Sequence, residues 1–99
     1  MEITTGREGQ YAVLSISGRV DTITSPQLQA AILKEFQTDK FIILDFANVQ
    51  YVSSAGLRAL LIGQKTAASK GGAMELRNVS DMVMSVLNSV GFSKILTIK

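Results

Sequence analysis

The sequence contains no cysteine and no histidine among its 99 residues. Without cysteine, the chain can form neither a disulfide framework nor a thiolate metal site. Without histidine, it lacks a common ligand of transition metals and the side chain best suited to moving protons near neutral pH. Many enzyme mechanisms depend on such groups, so we expect a protein that is not an enzyme and that holds no metal or other cofactor.

Long apolar runs and clusters of positive charge are also missing. No segment approaches the length of about 20 apolar residues that crosses a bilayer, and the N-terminus lacks the pattern of a secretory signal. The ten Lys and Arg residues are scattered along the chain, whereas a nucleic-acid-binding protein carries a basic stripe. We therefore expect a cytoplasmic protein with neither nucleic acid nor membrane among its partners.

The composition that is present predicts a folded chain. A hydrophobic fraction of 46% with 18% charged residues is far from that of disordered proteins. A chain of this length has room for one hydrophobic core, so we expect one domain over residues 1–99. Its glycine-rich stretch, "KGGAM", lacks both the spacing and the closing Lys-Ser/Thr of a P-loop, so nucleotide hydrolysis has no support.

The first third of the chain predicts a hairpin followed by a helix. "MEITT" and the alternating "YAVLSISG" are two strands, joined by a turn from Gly6 to Gly9. Ser25 before Pro26 predicts a helix start, because serine can cap free amides and the fixed φ of proline suits a first turn. The apolar face of this helix comprises Leu28, Ala31, Ile32 and Phe36.

The remaining chain alternates strands with helices. "FIILDF", residues 41–46, predicts a strand covered on both faces at the centre of a mostly parallel sheet. Helical spacing follows until Gly71-Gly72; "AMELR" is a strand, Ser80 and Asp81 begin another helix, and residues 95–98 close the chain as a strand. The apolar faces of the two helices comprise Leu57, Leu60, Leu61 and Ala68 in the first and Val83, Val86, Leu87 and Val90 in the second. The order β-β-α-β-α-β-α-β predicts an α/β domain with a mixed sheet.

The pair Ser53-Ser54 lies where the central strand gives way to a helix, in the stretch "YVSSAGLRALL". Functional groups of open α/β sheets collect at such points, beyond the carboxyl ends of strands. Two interpretations stay open from the residues alone. The serines can simply cap the helix, with Ala55-Gly56 small so that helix and sheet approach closely. Alternatively, Ser54 is a cap that phosphorylation can switch, since free amides and the helix dipole favour negative charge there.

Several segments resemble one known family. "LDFANVQYVSSAGLRALL", residues 44–61, resembles the signature of the STAS domain, specifically of the anti-sigma factor antagonists, in which a strand and a short loop lead to a phosphorylatable serine, a small residue, Gly and Leu. "SGRVDTITSPQL" resembles the family's Gly-x-x-Asp loop, and "VLNSVGFSKIL" resembles its closing segment. The resemblance covers nearly the whole chain. It places the phosphorylated residue at Ser54 and the acidic residue near it at Asp21.

The resemblance implies a phosphorylation-controlled protein-binding switch. Its partner would be an anti-sigma factor with serine kinase activity, bound while Ser54 is free and released once Ser54 is phosphorylated, and a metal-dependent serine phosphatase would reset the cycle. Several family members carry Asp at the position of Ser53, which leaves open whether Ser53 is an alternative phosphosite. The implied partner-binding residues are Asp21, Ser53, Ser54, Ala55, Gly56, Leu57 and Arg58.

Other interpretations compete with the switch. Asp21 can be an ordinary loop acid that accepts hydrogen bonds from nearby amides, and for Asp45, at the end of the "FIILDF" strand, we favour a structural role. A rival of another class is a constitutive STAS subunit of a lipid-transport complex, which uses the same face and is never phosphorylated. A nucleotide-binding module is a third and weaker alternative.

Overall fold

The computed structural model describes residues 1–99, and its strands and helices follow the order expected from the sequence. The elements are β1 (Glu2–Glu8), β2 (Tyr11–Val20), α1 (Ser25–Glu35), β3 (Phe41–Val52), α2 (Ser54–Ser69), β4 (Ala73–Arg77), α3 (Asp81–Ser89) and β5 (Thr97–Ile98). A short 3₁₀ turn, Phe92–Lys94, lies between α3 and β5. The α/β class and the mixed sheet are confirmed.

The five strands form one sheet in the order β1-β2-β3-β4-β5. β1 pairs antiparallel with β2, and all later pairs are parallel. α1 leaves the carboxyl end of β2, and α2 leaves the carboxyl end of the neighbouring β3. Because neighbouring parallel strands end at the same edge of a sheet, the N-termini of α1 and α2 lie side by side there. This edge carries the candidate site.

The core lies on one face of the sheet. Alternate residues of β2, β3 and β4, such as Leu14, Leu44 and Leu76, join buried residues of all three helices in one cluster of 20 residues. Leu60 of α2 and Leu87 of α3 are fully buried in it. Burial of one such side chain stabilises a fold by about 1.5–3 kcal/mol. The helices are therefore held to the sheet mainly by aliphatic packing.

The opposite face of the sheet carries no helix and is covered by its own side chains. Tyr11 and Phe41 pack with their ring centroids 5.6 Å apart, and the Tyr11 hydroxyl donates to Glu75 at 2.9 Å. Val13 and Ile43 are buried there but lie outside the main core cluster. The prediction of a central strand is confirmed. Helices cover only one of its faces, and the other face, where Ile43 is buried, is covered by side chains of the sheet itself.

Strand lengths differ from those predicted at the hairpin. β1 continues through Gly6 to Glu8, and Glu8 pairs with Tyr11. The connection is therefore the two residues Gly9 and Gln10, not a turn from Gly6 to Gly9. Gly9 has φ of 61°, a conformation that glycine adopts without the steric cost of a side chain. The tight turn needs that conformation at Gly9 only, so Gly6 is free to stay in the strand.

The first helix starts differently from the prediction. Thr24 occupies the N-cap position, and Ser25 is the first helical residue. Ser25 is buried, and its hydroxyl donates to the carbonyl of Asp21. Ser25 therefore ties the loop to the helix and does not cap its amides.

The ends of the later elements also differ. β3 runs past "FIILDF" to Val52, through a register shift in its pairing with β2. In α2 the buried alanines are Ala59 and Ala67, and the predicted Ala68 is exposed. Val90 and Ile95 are 49% and 50% exposed, because α3 ends at Ser89 and the following 3₁₀ turn redirects the chain. The last strand is accordingly shortened to two residues.

Candidate functional site

Ser53 is the N-cap of α2. Its backbone is extended, with φ of −87° and ψ of 175°, and its Oγ accepts from the Gly56 N–H at 3.3 Å. Its own N–H donates to the Val20 carbonyl at 2.8 Å, which ties the end of β3 to the end of β2. The hypothesis that Ser54 is the cap is therefore wrong. The cap belongs to the preceding serine.

Ser54 is the first residue of α2, and it is exposed. Its hydroxyl takes no part in the cap, which leaves the oxygen accessible from solvent. The first turn of α2 contains no acidic residue, so the helix itself supplies no negative side chain to the positive end of its dipole. The position can accept negative charge without the loss of an existing hydrogen bond of the cap.

Gly56 and Leu57 face the protein interior. A Cβ on Gly56 would lie 2.6 Å from Cγ1 of Val20 and 2.9 Å from Cγ1 of Val52. Real side-chain carbons do not approach so closely, so glycine is required for α2 to dock on the strand ends. Leu57 is only 7% exposed and belongs to the core. Of the residues that the resemblance implies for partner binding, these two support the surface from below.

The exposed part of the α2 start is formed by Ser54 and Arg58, with Ala55 half-buried between α2 and α1. Ala55 and Arg58 line a groove of about 370 Å³, whose other wall includes Thr22 and Gln29. We refer to Ser54, Ala55 and Arg58 as the α2 surface. The structure brings it together with the loop that contains Asp21, because that loop leads into α1 on the far side of the groove.

Asp21 organises its own loop. Its Oδ1 accepts from the N–H groups of Ile23 and Thr24, each at 3.0 Å, and from the Thr24 hydroxyl at 3.1 Å. The hydrogen bond from the Thr24 N–H is the main reason that the pKa of Asp21 lies below its ordinary value. The loop-acid interpretation is confirmed. Contact between Asp21 and a partner stays a prediction. The second carboxylate oxygen, Oδ2, is available for such a contact and lies 3.8 Å from Nε of Arg19.

Sequence reasoning missed three side chains near this edge. The guanidinium of Arg19 lies 4.2 Å from the ring centroid of Tyr51. This is a cation–π contact, in which the face of an aromatic ring attracts a positive charge. Ile23 is 87% exposed on the Asp21 loop. An isoleucine inside the otherwise polar stretch "DTITS" was the signal available for Ile23. The Arg19–Tyr51 contact joins β2 to β3 and had no local signal.

Asp45 has the structural role that we favoured. Its carboxylate accepts from the Ala47 N–H at 3.0 Å, from Asn78 Nδ2 at 3.1 Å and from Arg77 Nε at 3.4 Å. Burial raises the pKa of Asp45, but these hydrogen bonds and the Arg77 charge together hold it below its ordinary value. Asp45 therefore fastens the end of β4 to β3 and belongs to the sheet.

The family model of the STAS domain matches residues 2–99. The chain belongs to the STAS domain family. An anti-sigma F factor antagonist of Paenibacillus polymyxa is 30% identical to this STAS domain over 88 residues, which are 87% of this chain and 75% of the relative. No cluster of three or more carboxylates could hold a metal ion in this STAS domain, and none of its helices has both the length and the apolar character to cross a bilayer.

Solved structures share the fold of this STAS domain. An anti-sigma factor antagonist from Mycobacterium paratuberculosis superposes with a TM-score of 0.87 at 19% identity, covering 98% of this chain and 83% of that one. The phosphorylated form of the Bacillus cell fate determinant SpoIIAA superposes with a TM-score of 0.75 at 18% identity, covering 99% of this chain and 91% of that one. At these identities the likeness concerns the fold.

Proposed function

We propose that this STAS domain is an anti-sigma factor antagonist that works as a phosphorylation-controlled protein-binding switch. The observation that carries the proposal is the division of labour between two adjacent serines. Ser53 caps α2, and Ser54 presents a free hydroxyl on the first exposed position of the helix. The curated relative from Paenibacillus polymyxa, named for antagonism of an anti-sigma factor, supports the same function.

The switch acts through charge on the α2 surface. A phosphate adds about 1.5–2 negative charges. A partner that covers Ser54 would then bury those charges, which is costly unless the partner supplies matching donors. The fold itself should persist, because the cap is on Ser53 and a negative charge in the first turn of a helix is favourable by about 0.3–1 kcal/mol. Phosphorylation therefore weakens binding and leaves the domain folded.

The partner in this proposal is an anti-sigma factor with serine kinase activity, and a metal-dependent serine phosphatase restores Ser54. The STAS domain contributes the acceptor hydroxyl and the binding surface, and it is not an enzyme. The cycle takes place in the cytoplasm, where a sigma factor and its regulators act. A STAS subunit held permanently on a lipid-transport complex would instead use the α2 surface without modification, and the two functions separate in one experiment.

That experiment is phosphate incorporation in the presence of the kinase, followed by mass spectrometry of wild type, Ser54→Ala and Ser53→Ala. We expect Ser54→Ala to abolish incorporation and Ser53→Ala to retain it. Because Ser53→Ala removes a helix cap, Ser80→Ala, which removes the cap of α3, is the matched control for lost stability. Equal labelling of Ser54→Ala and wild type would overturn the assignment of Ser54, and no labelling of any serine would favour the permanent subunit.

A further inference from the structure

The four arginines of the chain differ in their ionic partners. Arg7 pairs with Asp39 at 2.9 Å, and Arg77 pairs with both Glu8 and Asp45. Arg19 lies 3.8 Å from Asp21. Arg58 is the exception, because it takes part in none of the four salt bridges of the structure. An exposed arginine is therefore left unpaired on the α2 surface.

Arg58 lies one helical turn after Ser54. Residues four positions apart on a helix are neighbours on its surface, with Cβ atoms about 5–6 Å apart. Both side chains are exposed, whereas Gly56, Leu57, Ala59 and Leu60 between and after them are buried. Ser54 and Arg58 thus share the outward face of α2. A phosphate on the Ser54 oxygen is within reach of a guanidinium that has no other charge to bind.

The chemistry of the two groups is matched. A phosphoserine carries three acceptor oxygens, and an arginine presents its donors as a planar fork that can bind two of them at once. The negatively charged group would precede the cation by four residues, which is the favourable direction for an ion pair along a helix. No competing carboxylate lies in the first turn of α2.

We propose that Arg58 binds the phosphate of phosphorylated Ser54 within the same helix. The pair holds the phosphate over the α2 surface. It also leaves the guanidinium of Arg58 paired, so that phosphorylation changes two charged groups that a partner meets. This inference rests on the proposed function only in taking Ser54 as the modified residue. The role of Arg58 is therefore to position the phosphate of phosphorylated Ser54.

The test is a phosphorus NMR titration of the full chain carrying phosphoserine at position 54, installed during synthesis so that no kinase is needed. A paired phosphate keeps its second negative charge to lower pH, since the guanidinium stabilises the doubly charged form. In wild type we expect the second pKa of the phosphate, about 6 when unperturbed, to lie about 0.2–0.4 pH unit below that in Arg58→Gln, the shift expected of an exposed pair four residues apart. Arg58→Lys should fall between them.

The matched control is Lys65→Gln, which removes one positive charge from an exposed position of the same helix. Lys65 lies eleven residues beyond Ser54, about 16 Å along the axis, which is beyond the screening distance of about 8 Å at physiological salt. We expect its titration to match wild type. Superimposable curves for wild type and Arg58→Gln, or an equal shift in Lys65→Gln, would overturn the proposal.

The outcome is separable from that of the proposed function. If the kinase modifies Ser54 but the titration is unaffected by Arg58→Gln, the switch stands and the pair does not exist. If the titration shows the pair but no kinase labels Ser54, the pair stands as chemistry of the helix and the switch fails.

Discussion

The helices α2 and α3 begin with the same kind of serine cap and differ in the residue that follows the cap. Ser53 and Ser80 both have extended backbones, and their hydroxyls accept from the N–H three residues later, at 3.3 Å from Gly56 and 3.2 Å from Val83. The next residue is Ser54 in α2 and Asp81 in α3. α3 therefore carries a permanent negative charge in its first turn, and α2 carries a hydroxyl that gains a charge only when it is modified.

This difference separates the two tasks of the serine pair. A capping serine is a routine helix start, as α3 shows, and it accounts for Ser53 completely. It does not account for Ser54, whose position in α3 is held by an acid that complements the helix dipole. The proposed phosphate would give α2 the charge that α3 has by sequence.

The largest effect should come from the third residue of each helix, where α2 has Gly56 and α3 has a buried valine. Gly56→Ala places a Cβ 2.6 Å from Val20 and 3.2 Å from its carbonyl oxygen, so α2 must shift from the strand ends. We expect a loss of about 1–3 kcal/mol in the free energy of unfolding, measured with urea. Gly6→Ala is the control, because a Cβ there meets nothing within 4 Å. Equal stability of the two variants would refute the close docking of α2.

The next effect concerns the two caps. Ser53→Ala and Ser80→Ala should each lose about 1 kcal/mol of unfolding free energy, since each leaves one amide at the helix start without its acceptor. Ser54→Ala should stay within about 0.5 kcal/mol of wild type, as expected of an exposed residue outside the cap. Chemical unfolding of the three variants side by side measures this. If Ser54→Ala loses as much unfolding free energy as Ser53→Ala, the assignment of the cap to Ser53 alone is contradicted.

A smaller effect should follow from exchange of the two first-turn residues. Ser54→Asp gives α2 the charge of α3 and should raise stability by about 0.3–1 kcal/mol at low salt, and Asp81→Ser should lower it by a similar amount. Both changes should shrink as salt is added, because exposed charges are screened. Thermal melts at low and high salt provide the measurement. A destabilised Ser54→Asp would show that the α2 start does not accept negative charge.

The smallest effect is expected at α1, the third helix start at this edge, where Asp21 accepts from the Thr24 amide. The pKa of Asp21 is lowered on folding, chiefly by that hydrogen bond. The carboxylate therefore stabilises the fold above the unfolded pKa of about 3.9, and this contribution is lost as pH falls through the lower folded value. Wild type should exceed Asp21→Asn in stability at neutral pH, and the two should converge in acid. A difference independent of pH would mean that the charge of Asp21 plays no part.

Much of the fold was predictable because the patterns that encode it are local. Alternation in "YAVLSISG", the apolar run "FIILDF" and the helical spacing after Leu57 each predicted the correct element, and the order of elements followed. The division between Ser53 and Ser54 was not predictable, since either serine can cap a helix and the choice depends on the hydrogen bond between Ser53 and Val20. The exposure of Val90 likewise depends on the 3₁₀ turn after α3, which helical spacing does not encode.

Calorimetric titration of the proposed partner, an anti-sigma factor with serine kinase activity, into this protein, with either serine or phosphoserine at position 54, tests the central claim most directly. We predict that the phosphate weakens binding by at least about tenfold, or 1.4 kcal/mol, while the melting temperature of the free protein stays the same or rises slightly. Equal affinity of the two forms, or a phosphorylated form that has lost its folded structure, would contradict a switch that acts through charge on the α2 surface.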